Sequence, residues 1–160
     1  MKSSSSFVAV GAALALQLAG CATVINEPTQ PVRVDTRTAD GQTVAGAACT
    51  LRTEHGAMSM KSGESVPVRR SGQDLEISCR HAGLPEAQAR VISRVNGGFA
   101  GNLILGGGIG AYVDHKKGTA YTYPSWVQLI FGRTMVFDRS AERDGLPVPG
   151  VEVGSVQAAR

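Results

Sequence analysis

Three cysteines, Cys21, Cys49 and Cys79, and three histidines, His55, His81 and His115, are the residues of this 160-residue chain best suited to act as nucleophiles, metal ligands or proton carriers. The histidines are scattered. No two share the i, i+4 spacing that sets paired imidazoles on one helix face around a metal. Asp114-His115 could orient a proton, but adjacent residues of an extended segment point to opposite sides. No G-x-S-x-G sequence places a serine on a strand-to-helix elbow. Gly106, Gly108 and Ala111 satisfy G-x-G-x-x-A after the apolar Leu103-Ile104-Leu105, yet no acid stands about 20 residues on and no βαβ unit fits the remaining chain. The expectation is a protein that is not an enzyme, with no catalytic residue, no metal and no cofactor.

The first cysteine has a context of its own. Lys2, the polar Ser3 to Ser6 and the apolar run Phe7 to Leu16 have the three-part form of a secretory signal. The run is too short to span a bilayer permanently, which takes about 20 apolar residues. It ends in Leu18-Ala19-Gly20-Cys21, which resembles the lipobox of bacterial lipoproteins. The resemblance implies cleavage before Cys21 and attachment of lipid to its thiol. Two or more acyl chains anchor a protein stably where one holds it only marginally. Ala22 follows, where aspartate in such lipoproteins of Gram-negative bacteria retains them in the inner membrane, so alanine implies transfer to the outer membrane. The competing reading is an ordinary signal peptide followed by an unrelated cysteine. Residues 1–20 are thus read as signal peptide and 21–30 as a lipidated linker.

Without its leader the chain has 140 residues and a net charge of +2, enough for one domain with one core. The basic residues are dispersed, and Arg69-Arg70 and Lys116-Lys117 read as solvated turn or edge positions, so no nucleic-acid-binding face is implied. With Cys21 assigned to lipid, Cys49 and Cys79 remain as an even pair in an oxidising compartment. Cys49 shares one face of an alternating run with Ala47 and Leu51, and Cys79 does so with Leu75 and Ile77. Both thiols then point inward, and a disulfide is expected.

The same alternation marks strands. Val32, Val34 and Thr36 alternate with Arg33 and Asp35, and further strands are expected over Ala47 to Thr53, Val66 to Arg70, Asp74 to Arg80 and Ala87 to Val95. Asp40-Gly41, Ser62-Gly63, Ser71-Gly72 and Gly83-Leu84-Pro85 supply the turns. The fold class expected is mainly β: a small antiparallel sandwich or barrel with a glycine-rich short helical insertion. Residues 31–95 form its β-rich half, and 96–139 complete the same domain with a glycine-rich segment and an aromatic C-terminal strand, Trp126 to Phe131. Residues 140–160, with Pro147 and Pro149 and little periodicity, read as a disordered tail.

From Val95 to Val113 there are 19 residues without a charge, seven of them glycine. Gly97 and Gly101 form one G-x-x-x-G and Gly106 and Gly110 another, a spacing that lets two helix backbones approach closely. Such a helix fits a membrane surface or a second copy; it fits equally a segment packed on its own sheet. Tyr112, Tyr121, Tyr123, Trp126, Phe131 and Phe137 cluster in the same region, and Tyr and Trp suit either a wet–apolar boundary or a core. Gly101, Gly106, Gly107, Gly110, Tyr121, Tyr123 and Trp126 are the candidate membrane or self-association contacts.

Gly101-Asn102, Ile104, Gly106-Gly107, Ile109-Gly110, Asp114, Gly118, Ala120, Tyr121, Tyr123 and Pro124 resemble a motif of small uncharacterised lipoproteins of Gram-negative bacteria, G-N-x-I-x-G-G-x-I-G, then D, then T-G-A-x-Y-x-Y-P. Lys117 stands where threonine is usual, and Thr119 is inserted before the alanine. No activity attaches to that family, so the resemblance implies no catalytic residues. The function expected is a non-enzymatic outer-membrane lipoprotein, a structural or interaction component of the envelope facing the periplasm or the cell surface. Its partners are the membrane, through the lipid, and further copies or an envelope protein, with no nucleic acid. The alternative is a periplasmic inhibitor or immunity-type module that binds one protein.

Overall fold

A computed structural model describes residues 28–95 and 119–153. The described chain is mainly β. Its strands are β1 (Thr29–Arg37), β2 (Ala48–Thr53), β3 (Gly56–Lys61), β4 (Ser65–Arg69), β5 (Leu75–Arg80), β6 (Ala87–Val91), β7 (Arg94–Val95), β8 (Tyr121–Thr122), β9 (Trp126–Ile130), β10 (Thr134–Phe137) and β11 (Gly150–Glu152). One sheet runs β4-β1-β9 and the other β11-β10-β6-β5-β2-β3, while β7 and β8 form a separate ribbon. The glycine-rich segment, including the expected helix, lies outside the described residues.

Period-2 patterning dictates which faces meet. Val32, Val34 and Thr36 on β1, Val68 on β4 and Val127 and Leu129 on β9 are fully buried, as are Leu51, Leu75, Cys79 and Val91 of the larger sheet. These side chains form one core between the two sheets. Each sheet therefore turns its alternate residues to solvent. Near the rim, Thr36 and Ser62 are buried hydroxyls, and both reach the Val44 carbonyl oxygen, at 2.6 and 2.7 Å. That contact satisfies polar groups that would otherwise cost free energy in the core. Gly63 turns the chain from β3 toward β4 at φ +97°, a conformation open to glycine.

Two expectations are corrected. The sheets are mixed rather than antiparallel throughout, because β1 pairs parallel with β9 and β6 parallel with β10. Late strands thus pair with early ones, a long-range arrangement that local periodicity does not encode. The supposed disordered tail is ordered as far as residue 153: Asp138 caps a short 3-10 helix at Arg139–Ala141, Val148 bridges to Val127, and β11 pairs with β10. Gly150 makes this possible. A Cβ there would lie 2.5 Å from the Phe137 ring, so only glycine lets β11 close over that side chain.

Cys49 and Cys79 are directly opposite each other on β2 and β5 and are joined by a disulfide, with Cα atoms 4.1 Å apart. The bridge joins two interior strands of the larger sheet, on its buried face. By the chain-entropy account a loop of 30 residues yields roughly 3–4 kcal/mol. Cys79→Ala should lower unfolding free energy by about 2–5 kcal/mol in urea titration. A loss below about 0.5 kcal/mol would show that the bridge restrains little.

Candidate functional site

The Tyr121-Thr122-Tyr123-Pro124 stretch folds back onto the turn between β4 and β5. Its two tyrosines have separate tasks. The Tyr121 ring lies against Gly72, where an added Cβ would stand 3.1 Å from the ring. Tyr123 is 1% exposed, and its hydroxyl donates to the Gln73 carbonyl at 2.7 Å. Burial pushes the Tyr123 phenol above its ordinary pKa, so it remains a neutral donor.

Gln30 completes the latch. Its Nε2 donates to the Tyr123 carbonyl at 2.9 Å, and its Oε1 accepts from the Tyr123 amide at 2.9 Å and from the Thr122 hydroxyl at 2.8 Å. One side-chain amide thereby satisfies both backbone groups of Tyr123, as a neighbouring strand would. Arg139 also donates to Thr122 Oγ1, at 2.7 Å, and pairs with Glu142 at 2.9 Å. A cavity of about 550 Å³ opens beside this network, lined by Gln30, Arg70, Thr122, Arg139, Glu142 and Asp144 among others.

Two acids near this network, Glu142 and Asp138, are paired with arginines. Burial opposes ionisation of Glu142, but hydrogen bonds from Ser125 and the neighbouring Arg139 outweigh it and hold the carboxyl below its ordinary range. Asp138 accepts a fork of hydrogen bonds from Arg94 and one from the Ser140 amide, which together hold it well below the carboxylate range. Both acids serve as acceptors that fix backbone and arginine positions.

Of the sequence candidates, Cys21, Gly101, Gly106, Gly107 and Gly110 lie outside the described residues. Tyr123 is corrected from a membrane contact to a core residue: its neighbours are Gln30 and Gln73, and it has no surface to offer. Tyr121 is half-buried against Gly72. Trp126 lies on the outer face of the smaller sheet, where its indole N–H donates to Asp35 at 2.7 Å and Arg33 covers the ring at 4.6 Å. Its polar atom and one π-face are thus engaged within the chain. His55 stands beside Glu54, and the His81 ring meets the edge of Phe131. Among the described residues the histidines join neither each other nor the disulfide.

A second surface was not anticipated from sequence. On the solvent face of the larger sheet, register sets three parallel rows. Arg52, Glu76 and Arg90 are aligned across β2, β5 and β6. The next row is Thr50, Ser78, Gln88 and Thr134, extended by Ser59 on β3. Arg80 and Glu86, paired at 2.9 Å, bound the other side. All of these except Ser59 line a depression of about 410 Å³ with a neutral floor of hydroxyls and one amide between charged rims. Nothing along β2 alone signals it, since the floor draws one residue from each strand.

No protein-family model, curated protein or solved structure matches the chain.

Replacing Gln30 by Leu should leave the Tyr123 amide and carbonyl buried without partners and cost about 1–3 kcal/mol in denaturant titration; an unchanged midpoint would refute the latch. Acid titration supplies an independent test. An acid whose folded pKa is depressed contributes stability above its unfolded value, near 4, and that stability is lost as pH falls through the folded value. Asp138→Asn should therefore flatten the fall in stability below about pH 4, and an acid limb as steep as in the unaltered protein would contradict this role.

Proposed function

We propose that this chain is a non-enzymatic lipoprotein of the outer membrane, a structural or interaction component of the cell envelope held by lipid on Cys21. One observation carries the reading: Leu18-Ala19-Gly20-Cys21 closes the apolar run Phe7 to Leu16, and Cys21 stands only seven residues before Pro28. Seven extended residues reach at most about 25 Å, so the domain would be held close to the bilayer. The Cys49–Cys79 disulfide supports an oxidising compartment.

The fold supports a particular orientation. The Pro28 carbonyl accepts from the Arg70 amide at 2.8 Å, and the Ser71 carbonyl accepts from the Ser93 hydroxyl at 2.6 Å. Val95 pairs with Tyr121, which rests on Gly72. Pro28, and Val95 and Tyr121 on either side of residues 96–118, therefore lie at one end of the sandwich. A lipid on Cys21 would hold that end nearest the membrane and leave the faces of both sheets free along the sides. The acids beside this end, Asp138 and Glu142, are engaged in holding backbone and arginine groups, as suits a scaffold more than a proton-transfer site.

Cys21→Ser should abolish incorporation of labelled palmitate and release the protein from the membrane fraction, while the unaltered protein sediments with outer membrane in a density gradient. Retention of label and membrane association by the serine variant would defeat the anchor. Recovery of the unaltered protein solely with inner membrane would defeat the outer-membrane assignment.

A further inference from the structure

We propose that the three-row depression on the larger sheet binds a polyhydroxylated glycan chain bearing carboxylates, with Arg52 holding a carboxylate and Thr50, Ser78, Gln88 and Thr134 exchanging hydrogen bonds with sugar hydroxyls. The inference rests on the envelope reading only for where such a chain would be met. The site itself is argued from its chemistry.

The floor is the first observation. Among the described residues, the hydroxyls of Thr50, Ser78 and Thr134 make no hydrogen bond within the chain, although all three line the same depression. Hydroxyls both donate and accept, which suits a ligand whose own groups are hydroxyls. Register places them in one line across four strands, about 14 Å from end to end at ordinary strand spacing. An extended chain lying across the strands would meet them in turn.

The rims are the second. Arg80 pairs with Glu86 and Arg90 approaches Asp74 at 3.7 Å, whereas Arg52 forms no ion pair among the described residues. Its guanidinium is therefore the open donor, and its planar fork matches a carboxylate. Arg52 also lines the adjoining depression with Thr53, Glu54, Gln73, Asp74 and Glu76, whose three acids repel a further carboxylate and leave Arg52 as the single carboxylate site at that end of the trough. Three arginines against two glutamates leave the lining at one net positive charge, too little for a nucleic acid backbone and compatible with a sparsely charged chain. A peptide is disfavoured because peptides add to sheet edges or fill apolar grooves, and this is a polar face in the interior of a sheet.

The test titrates the protein, isolated with its lipid in detergent, with a hyaluronan hexasaccharide, which bears a carboxylate on every second sugar, and with maltohexaose, read by calorimetry. The acidic oligomer should bind, and the neutral one roughly tenfold more weakly or less. Arg52→Gln should weaken the acidic oligomer by about tenfold and leave the neutral one unchanged, while Thr50→Val should weaken both. Both substitutions lie on the solvent face, and an unchanged thermal midpoint checks that each variant is folded. Gln128→Ala, on the outer face of the other sheet, should change neither affinity. The proposal is overturned if neither oligomer binds, if Arg52→Gln retains full affinity, or if a glutamate hexapeptide binds as tightly as the hyaluronan oligomer. Palmitate labelling of the same preparations reports the anchor separately, so loss of glycan binding with label retained defeats this inference and leaves the anchor standing.

Discussion

The peptide group of Tyr123 has to be satisfied inside the protein, and much of the architecture follows from how that is done. β9 enters the smaller sheet alongside β1 from Arg33 onward, where the Arg33 amide donates to the Ser125 carbonyl at 2.8 Å. Tyr123 lies just before that ladder begins. The Gln30 amide replaces the missing strand partner and joins the start of β1 to the segment that delivers β9. An unsatisfied amide and carbonyl at so buried a position would oppose the docking of the ring, so pairing and packing depend on each other.

From that junction the two sheets close around a common core. β9 turns at Gly132 into β10, which crosses to the larger sheet and pairs with β6, so consecutive strands belong to opposite layers. Val148 and β11 repeat the crossing, since Val148 donates to the Trp126 carbonyl at 2.8 Å before β11 joins β10. The disulfide fastens β2 to β5 within one layer, while these C-terminal crossings fasten one layer to the other. Late strands are thus needed to complete both sheets, and the domain depends on contacts distant in sequence.

The legible parts of the sequence were those in which burial alternates without interruption. β1, β2 and β5 follow their period-2 patterns, and the inward parity of Cys49 and Cys79 foretold their meeting. β3 was not legible because Gly56-Ala57-Met58-Ser59-Met60-Lys61 lacks β-branched residues; it is a strand because β2 offers it a complete ladder. β11 was hidden behind Pro147 and Pro149, and its place depends on the absence of a side chain at Gly150. The aromatic cluster could be read as membrane contact or as core, and tertiary contacts decide for core at Tyr123. The polar rows on the larger sheet are not legible in sequence because each strand contributes a single ordinary serine, threonine or glutamine, and only register assembles them.

Hydrogen exchange at the Tyr123 backbone amide tests most directly whether this segment is the structural junction that the fold requires. If Gln30 holds that amide in the core, its exchange should be as slow as that of the Cys79 and Leu51 amides in the larger sheet and should report global unfolding. Exchange at the rate of a fraying loop, with Cys79 and Leu51 protected, would contradict the account and return the Y-x-Y-P stretch to the surface.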